Sequence, residues 1–63
     1  MTAWTLVHLI WFAAAPPDAL PSRFVSNGFQ TRAACEQARV MALAWFEGRA
    51  RHQKAICVEE TET

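Results

Sequence analysis

The first stretch of the chain, residues 2–12, is apolar on both of the faces that it would have as a β-strand. The two sets of alternating side chains are Trp4, Leu6, His8, Ile10 and Phe12, and Thr5, Val7, Leu9 and Trp11. A strand with one solvated face alternates apolar and polar side chains, so this segment predicts a strand that is covered on both sides. A chain of 63 residues buries only about 60% of its unfolded surface. We therefore expect another chain to supply part of the covering surface.

The composition is that of a folded domain without net charge. Hydrophobic residues make up 52% of the chain and charged residues 19%, which is more apolar than a disordered chain. Six basic side chains balance six acidic ones, so no global charge favours nucleic acid or an anionic membrane. A core of this size supplies roughly 3–5 kcal/mol, and small proteins supplement it with disulfides, metals or oligomerisation. We expect a single domain over residues 1–63 with such a supplement.

The apolar start differs from a targeting segment. A secretory signal carries a basic segment before its apolar run, whereas no Lys or Arg precedes Arg23 here. Two prolines, Pro16 and Pro17, end the run, which is shorter than the about 20 residues of a membrane-spanning helix. We expect neither secretion nor a membrane location, and no membrane partner.

Local signals divide the chain into three strands and one helix. All three prolines follow the first strand and indicate a loop or extended connector. Asn27 and Gly28 predict either a tight turn or a bulge in a bent strand. Thr31 is a candidate N-cap, and Gly48 lies at or near the end of the helix. The predicted elements are a strand at 2–12, a loop at 13–22, a strand at 23–30, a helix at 32–48, a strand at 54–60 and a polar tail at 61–63.

The order of these elements predicts a small α+β fold, a ββαβ unit. A right-handed crossover from the second to the third strand, with the first strand between them, gives a mainly antiparallel three-stranded sheet of order 2-1-3. One helix packs on one face, and the other face, which carries either Trp4 or Trp11, stays open. The helix itself has two apolar stripes. The stripe expected to lie on the sheet is Cys35, Ala38, Ala42 and Trp45, and the second is Val40, Leu43 and Phe46.

Two cysteines are candidates for a disulfide. With the helix over the sheet, the sulfur atoms of Cys35 and Cys57 come within bonding distance, and the closed loop would stabilise the fold by about 3 kcal/mol. The alternative is a pair of buried thiols. A metal site or a Cys-His nucleophile would need His8 or His52 as well, but the spacings of zinc sites and an orienting Asn or Asp are missing. We expect His8 to be half-buried and hydrogen-bonded, and we expect no catalytic residue, metal or cofactor.

Protein contact is the function that the remaining apolar side chains favour. Aromatic residues are enriched at interfaces, and large exposed apolar patches seldom lack a role. The alternative is a well-filled core, but so short a chain cannot bury all of these side chains. The expected interface residues are Trp4, Trp11, Val40, Leu43 and Phe46.

A basic cluster lies between the predicted helix and the last strand. It consists of Arg49, Arg51, His52 and Lys54. These side chains could contact the phosphates of a nucleic acid. The alternative is a solvated loop in which cations favour the helix C-terminus. Acidic residues nearby could neutralise the cluster and no aromatic residue is interleaved for base stacking, so we do not expect nucleic acid to be the partner.

The run Phe29-x-Thr31-x-x-x-Cys35, followed by Cys57 in a terminal strand, resembles a loose class of very short proteins encoded by phages and prophages of high-GC bacteria. Those proteins also open with an apolar strand. The resemblance implies an accessory or virion-associated protein, such as a decoration subunit, or an anti-CRISPR-like inhibitor of a host defence complex. It also implies a location in the host cytoplasm or in a virion. We expect a non-enzymatic interaction or assembly protein whose partner is a second copy, a host protein or a virion protein. Inhibition of host defence and nucleic-acid binding remain the alternatives.

Overall fold

A computed structural model describes residues 2–61 of the chain. The elements are β1 (Thr2–Phe12), β2 (Ser22–Phe29), α1 (Arg32–Phe46) and β3 (Ala50–Thr61). β1 lies in the middle of one sheet and runs antiparallel to both neighbours, so the strand order is β2-β1-β3. The predicted α+β fold, element order and sheet order are confirmed. Residues 62 and 63 of the predicted polar tail lie outside the described residues.

β3 begins earlier than predicted. The sequence favoured a loop up to residue 53, but β3 starts at Ala50 and pairs with the end of β1 through Trp11 and His52. β1 offers backbone partners along its whole length, and the hydrogen bonds of this ladder outweigh the weak strand propensity of a polar, charged run. The register shifts between Trp11 and Phe12, which leaves Arg51 as an extra residue. The predicted basic loop is therefore mostly strand.

Gly28 forms a bulge within β2 and not a hairpin turn. Trp4 pairs with Phe29 and Leu6 pairs with Ser26, so β2 contains one residue more than β1 over this interval. Gly28 has φ +90°, a conformation that a residue without Cβ adopts at little cost. Of the two predicted alternatives for Asn27 and Gly28, the structure shows the bulge.

The disulfide between Cys35 and Cys57 ties the first turn of α1 to β3. The two Cα atoms are 6.1 Å apart, and Cys35 is fully buried. Thr31 caps the same turn, because its side-chain oxygen accepts a hydrogen bond from the backbone N–H of Ala34 at 3.1 Å. The predicted pairing of the cysteines and the predicted N-cap are both confirmed. The cross-link fixes which side of α1 meets the sheet.

The inner side of α1 differs from the predicted stripe at its C-terminal end. Counting about 100° per residue from Cys35, Phe46 points about 20° from the direction of Cys35 and Trp45 about 80° from it. Phe46 accordingly lies against the sheet, whereas Trp45 is 75% exposed. The assignment of Trp45 to the sheet side is wrong. The helix turns by about 100° per residue, so Phe46 points toward the sheet and Trp45, one position earlier, does not.

Candidate interaction surface

The two faces of the sheet have different surroundings. α1 covers the face to which Cys57 belongs, and the register places Leu6, His8 and Ile10 on that same side. These three side chains are almost completely buried. The opposite side carries no helix. We call it the uncovered face, and its side chains are Ala3, Thr5, Val7, Leu9 and Trp11 from β1, Arg23 and Val25 from β2, and His52, Lys54, Ile56, Val58 and Glu60 from β3. Of these, Thr5 is buried, at 4% exposure.

An apolar row crosses the middle of the uncovered face. Val7 pairs with Val25 on one side and with Ile56 on the other, so three aliphatic side chains lie side by side across all three strands. Val25 is 50% exposed and Ile56 is 46% exposed. Three strands about 4.8 Å apart, with nine residues of about 3.4 Å each, give this face an area of about 400 Å². The row forms the centre of that area.

The charged side chains of the uncovered face are separated by sign. Arg23 and Lys54 flank Leu9 in one row, and His52 follows in the next, with its ring 4.9 Å from the ring of Trp11. Glu60 lies at the other end of the face, opposite Ala3. The face therefore has a basic end, an apolar centre and an acidic end.

A second exposed apolar surface lies on the outer side of α1. Val40 is 58% exposed and Met41 is 68% exposed, and Trp45 lies one turn further along. The second half of α1 is thus apolar on both its inner and its outer side, as the sequence indicated. This outer surface is separated from the uncovered face by the thickness of the sheet and the helix.

The predicted interface residues are divided by the structure. Trp11 belongs to the uncovered face and Val40 to the outer side of α1. Trp4 lies on the helix side, where the guanidinium of Arg32 sits 5.8 Å from its ring centroid. Leu43 and Phe46 are half-buried, and the ring of Phe46 packs among three aromatic rings of the sheet. The exposed Val25, Ile56 and Val58 were not among the predicted set, although Ile56 and Val58 alternate with the half-buried Ala55 and Cys57.

The basic cluster does not form one patch. Arg49 lies in the turn after α1, where its carbonyl oxygen accepts a hydrogen bond from the N–H of Ala13 at 3.0 Å. Arg51 lies at the bulge, and only His52 and Lys54 reach the uncovered face. Trp11 contacts His52 there, so an aromatic ring does lie beside basic side chains. The strand register creates this neighbourhood, and the order of residues within the cluster conceals it.

His8 takes part in a hydrogen-bonded chain beneath α1. The N–H of Glu47 donates to the carbonyl of Ala44 at 3.4 Å, which leaves the carbonyl of Leu43 without its helical partner. The side-chain amide of Gln53 donates to that carbonyl at 3.1 Å, and its oxygen lies 2.7 Å from Nε2 of His8. Because the amide nitrogen is committed to Leu43, His8 must donate from Nε2. The predicted hydrogen-bonded histidine is confirmed, and it is more deeply buried than expected, at 3% exposure.

Substitution Gln53→Leu tests this hydrogen-bonded chain. It keeps the bulk of the side chain but leaves the Nε2–H of His8 and the carbonyl of Leu43 without a partner. We expect the free energy of unfolding to fall by about 2 kcal/mol, as measured by urea denaturation at a fixed protein concentration. Gln37→Leu, on the exposed side of α1, is the matched control and should change it by less than about 0.5 kcal/mol. Equal effects of the two variants would show that the hydrogen bonds of Gln53 do not contribute to the free energy of unfolding.

Both cysteine sulfurs are used in the disulfide. Within residues 2–61, no three side chains of His, Cys, Asp or Glu are placed to hold a metal ion, and no ligand-sized pocket is found. In the same part of the chain, no helix has the length and apolar content that crossing a membrane requires. Comparison with protein-family models, with curated proteins and with solved structures gives no match to this chain.

Proposed function

We propose that this protein is a non-catalytic assembly protein whose copies associate through the uncovered face of the sheet. The observation that carries the proposal is the apolar row of Val25, Val7 and Ile56, which spans all three strands and whose two outer members are about half exposed. Among the described side chains, the buried apolar core consists of Leu6, Ile10 and Cys35 alone. Covering the second side of the sheet would stabilise a protein with so small a core, because burial of apolar area contributes about 25 cal/mol per Å² before the costs of association.

A second copy is the occupant that the charges favour. Two sheets pack face to face at about 10 Å, and a twofold axis near the row of Val7 turns the strands of one copy antiparallel to those of the other. The acidic end with Glu60 then lies over the basic end with His52 and Lys54 of the partner subunit. Both copies contribute the same favourable contact, so the face is complementary to itself.

Within this class we propose a structural or virion-associated subunit rather than an inhibitor of host defence. The resemblance to short phage proteins implies either role. A structural subunit forms a repeated, symmetric contact, which a self-complementary face supports. An inhibitor that binds one host protein one-to-one needs a surface complementary to that protein, and the basic cluster that would supply it is divided between a turn, a bulge and a strand.

Variant Val25→Lys tests the proposed face. It places a charge within the apolar row, and burying that charge against a second copy without a partner is costly. We expect the dissociation constant of self-association to rise about tenfold or more, as measured by sedimentation velocity across a concentration series. Val40→Lys, on the outer side of α1, is the matched control and should leave the constant unchanged, with circular dichroism confirming that both variants fold.

Two outcomes would contradict this proposal. An unchanged mass distribution for Val25→Lys would show that the uncovered face is not the contact. A loss of association in Val40→Lys alone would place the contact on the outer side of α1.

One observation favours a second candidate, binding of single-stranded nucleic acid. Trp11 lies on the same end of the uncovered face as Arg23, His52 and Lys54, and aromatic and basic side chains together are typical of such sites. The imidazole of His52 already lies against the ring of Trp11, which competes with a stacked base. Salt-dependent quenching of tryptophan fluorescence by an oligonucleotide, lost in Trp11→Leu, would establish this candidate. A flat titration at low salt would remove it.

A further inference from the structure

We infer that the outer edge of β3 pairs antiparallel with β3 of a second copy, which gives a continuous six-stranded sheet of order β2-β1-β3-β3-β1-β2. β3 is the longest strand of the sheet, with 12 residues, and it lies at the edge of the sheet. β1 pairs with its inner side, so its outer side has no neighbouring strand within the described residues. The backbone groups of an unpaired edge are a template for a strand of another chain. This inference concerns the edge of the sheet and does not rest on the proposed contact between uncovered faces.

The other edge of the sheet is less suited to such pairing. β2 has eight residues, and the bulge at Gly28 interrupts its regular alternation. Bulges twist an edge and are one way in which proteins prevent edge-to-edge association. β3 pairs with β1 without a register shift from His52 to Thr61. Its outer edge is therefore straight over ten consecutive residues, and the side chains at 54, 56, 58, 59 and 60 are exposed.

The charges of β3 select one register for a symmetric pair. Directly opposite residues in antiparallel strands point to the same face. With the twofold axis at Cys57, Lys54 lies opposite Glu60 of the partner subunit, and Ile56 lies opposite Val58 of the partner subunit. Each of these contacts occurs twice, once on either side of the axis. Opposite charges and branched aliphatic pairs are the cross-strand combinations that stabilise antiparallel sheets.

Neighbouring registers lose these contacts. A shift by one residue would turn the uncovered face of one copy toward the helix side of the other, so only shifts that preserve the faces are allowed. With the axis at Ile56, Lys54 lies opposite Val58 of the partner subunit, and with the axis at Ala55 it lies opposite Ile56 of the partner subunit. Both registers place an ammonium group against an aliphatic side chain. Among the residues that the structure describes, 2–61, the register at Cys57 is the one that pairs it with a carboxylate.

Pairing of the edges also changes the uncovered face. Lys54 and Glu60, the charges that lie along its β3 side, are neutralised by each other across the axis. The continuous face then measures about 800 Å², which matches the about 800 Å² that each partner buries in an interface of standard size. A single copy offers only half of this area. The edge pair therefore builds a surface large enough for a stable contact.

Cross-linking with a carbodiimide tests the register directly, because Lys54 is the only lysine of the sequence. This reagent joins an amine to a carboxylate that it already contacts. Within one strand, Lys54 and Glu60 are about 20 Å apart, so an isopeptide between them must join two copies. We expect the cross-linked peptide in a mixture of unlabelled and ¹⁵N-labelled protein, with mixed isotopes in half of the products. Absence of the mixed product would overturn the inference.

Charge reversal, made in the Val25→Lys background that removes the contact between faces, gives an independent test in solution. Lys54→Glu and Glu60→Lys each place like charges opposite one another twice, and we expect either to raise the dissociation constant of the pair about tenfold or more. The double variant restores opposite charges and should return the constant to within about threefold of the original value. Arg49→Glu makes the same change of charge in the turn after α1, outside the paired segment of β3, and should leave the pair unchanged. Failure of the double variant to recover association would overturn the inference.

The two contacts can be separated by their variants. Val25→Lys removes the contact between faces, which would itself bring Glu60 over the basic end with Lys54 of the partner subunit. A cross-link between Lys54 and Glu60 that persists in this variant therefore comes from the edge pair. A persistent cross-link together with an unchanged dissociation constant of the Val25→Lys variant would support the edge and contradict the proposed function. Loss of both the association and the cross-link in Val25→Lys would support the face and overturn the edge.

Discussion

Replacing both Cys35 and Cys57 with alanine lowers the free energy of unfolding by about 3 kcal/mol. The bond closes a loop with a sequence separation of 22 residues, and its removal frees the unfolded chain by about that amount in the chain-entropy description. The whole core supplies roughly 3–5 kcal/mol. We therefore expect the variant to be largely unfolded near 37 °C, as measured by the far-ultraviolet circular dichroism signal during urea and thermal denaturation.

Reduction of the unmodified protein is the control for this prediction. It breaks the same bond without removing the two sulfur atoms from the interior, so the difference between the reduced protein and the alanine variant measures packing alone. Both samples must be compared at one protein concentration, because association raises the apparent stability. An unchanged unfolding midpoint in reductant would contradict the stabilising role of the disulfide.

The substitution Phe46→Ala has the second large expected effect on the free energy of unfolding. The ring of Phe46 lies 5.7 Å from the ring of His8, 5.9 Å from that of Phe12 and 6.0 Å from that of Phe24, measured between centroids. Truncation removes these contacts and detaches the last turn of α1 from β1 and β2. We expect the free energy of unfolding to fall by about 3 kcal/mol, as measured by urea denaturation at a fixed protein concentration.

The neighbouring residue gives a matched control. Trp45→Ala removes an even larger aromatic group one position away, but that group is 75% exposed. We expect a change of less than about 0.5 kcal/mol in the free energy of unfolding. If Trp45→Ala were as destabilising as Phe46→Ala, the phase of α1 on the sheet would be different from the one described.

The central position of β1 could be predicted from the order and character of the elements. A right-handed crossover from the second to the third strand gave the correct strand order, and a strand that is apolar at both Leu6 and Val7, and at each position from Leu9 to Phe12, agrees with it because such a strand needs cover on both faces. The disulfide followed from the same reasoning, because a helix over the sheet brings Cys35 close to Cys57. Long-range pattern and topology were sufficient for these features.

Features that depend on register could not be predicted in the same way. The start of β3 at Ala50 is set by the length of β1, which overrides the polar character of Arg51 and His52. The inner side of α1 depends on helical phase, where a single residue exchanges Trp45 for Phe46. Local composition determines neither the start of β3 nor the phase of α1. The pairing with β1 fixes the first, and the disulfide fixes the second.

The uncovered face illustrates the same limit. The alternation of Ile56 and Val58 with Cys57 was visible in the sequence. The side of the sheet on which Trp11 lies was not, because it depends on the register between β1 and β3. Leu6 pairs with Cys57, so Trp4 falls on the helix side and Trp11 on the open side. The pairing also brings Arg23 and Lys54 into one row from distant parts of the chain.

The mass of the unmodified protein in solution tests the central claim most directly. Light scattering on a sizing column, at concentrations from micromolar to millimolar, distinguishes monomer from assembly without any assumption about structure. The uncovered face and its self-complementary charges predict at least twice the monomer mass, rising with concentration and falling at high salt as the charge contacts are screened. A monodisperse monomer over the whole range would contradict self-assembly through this face.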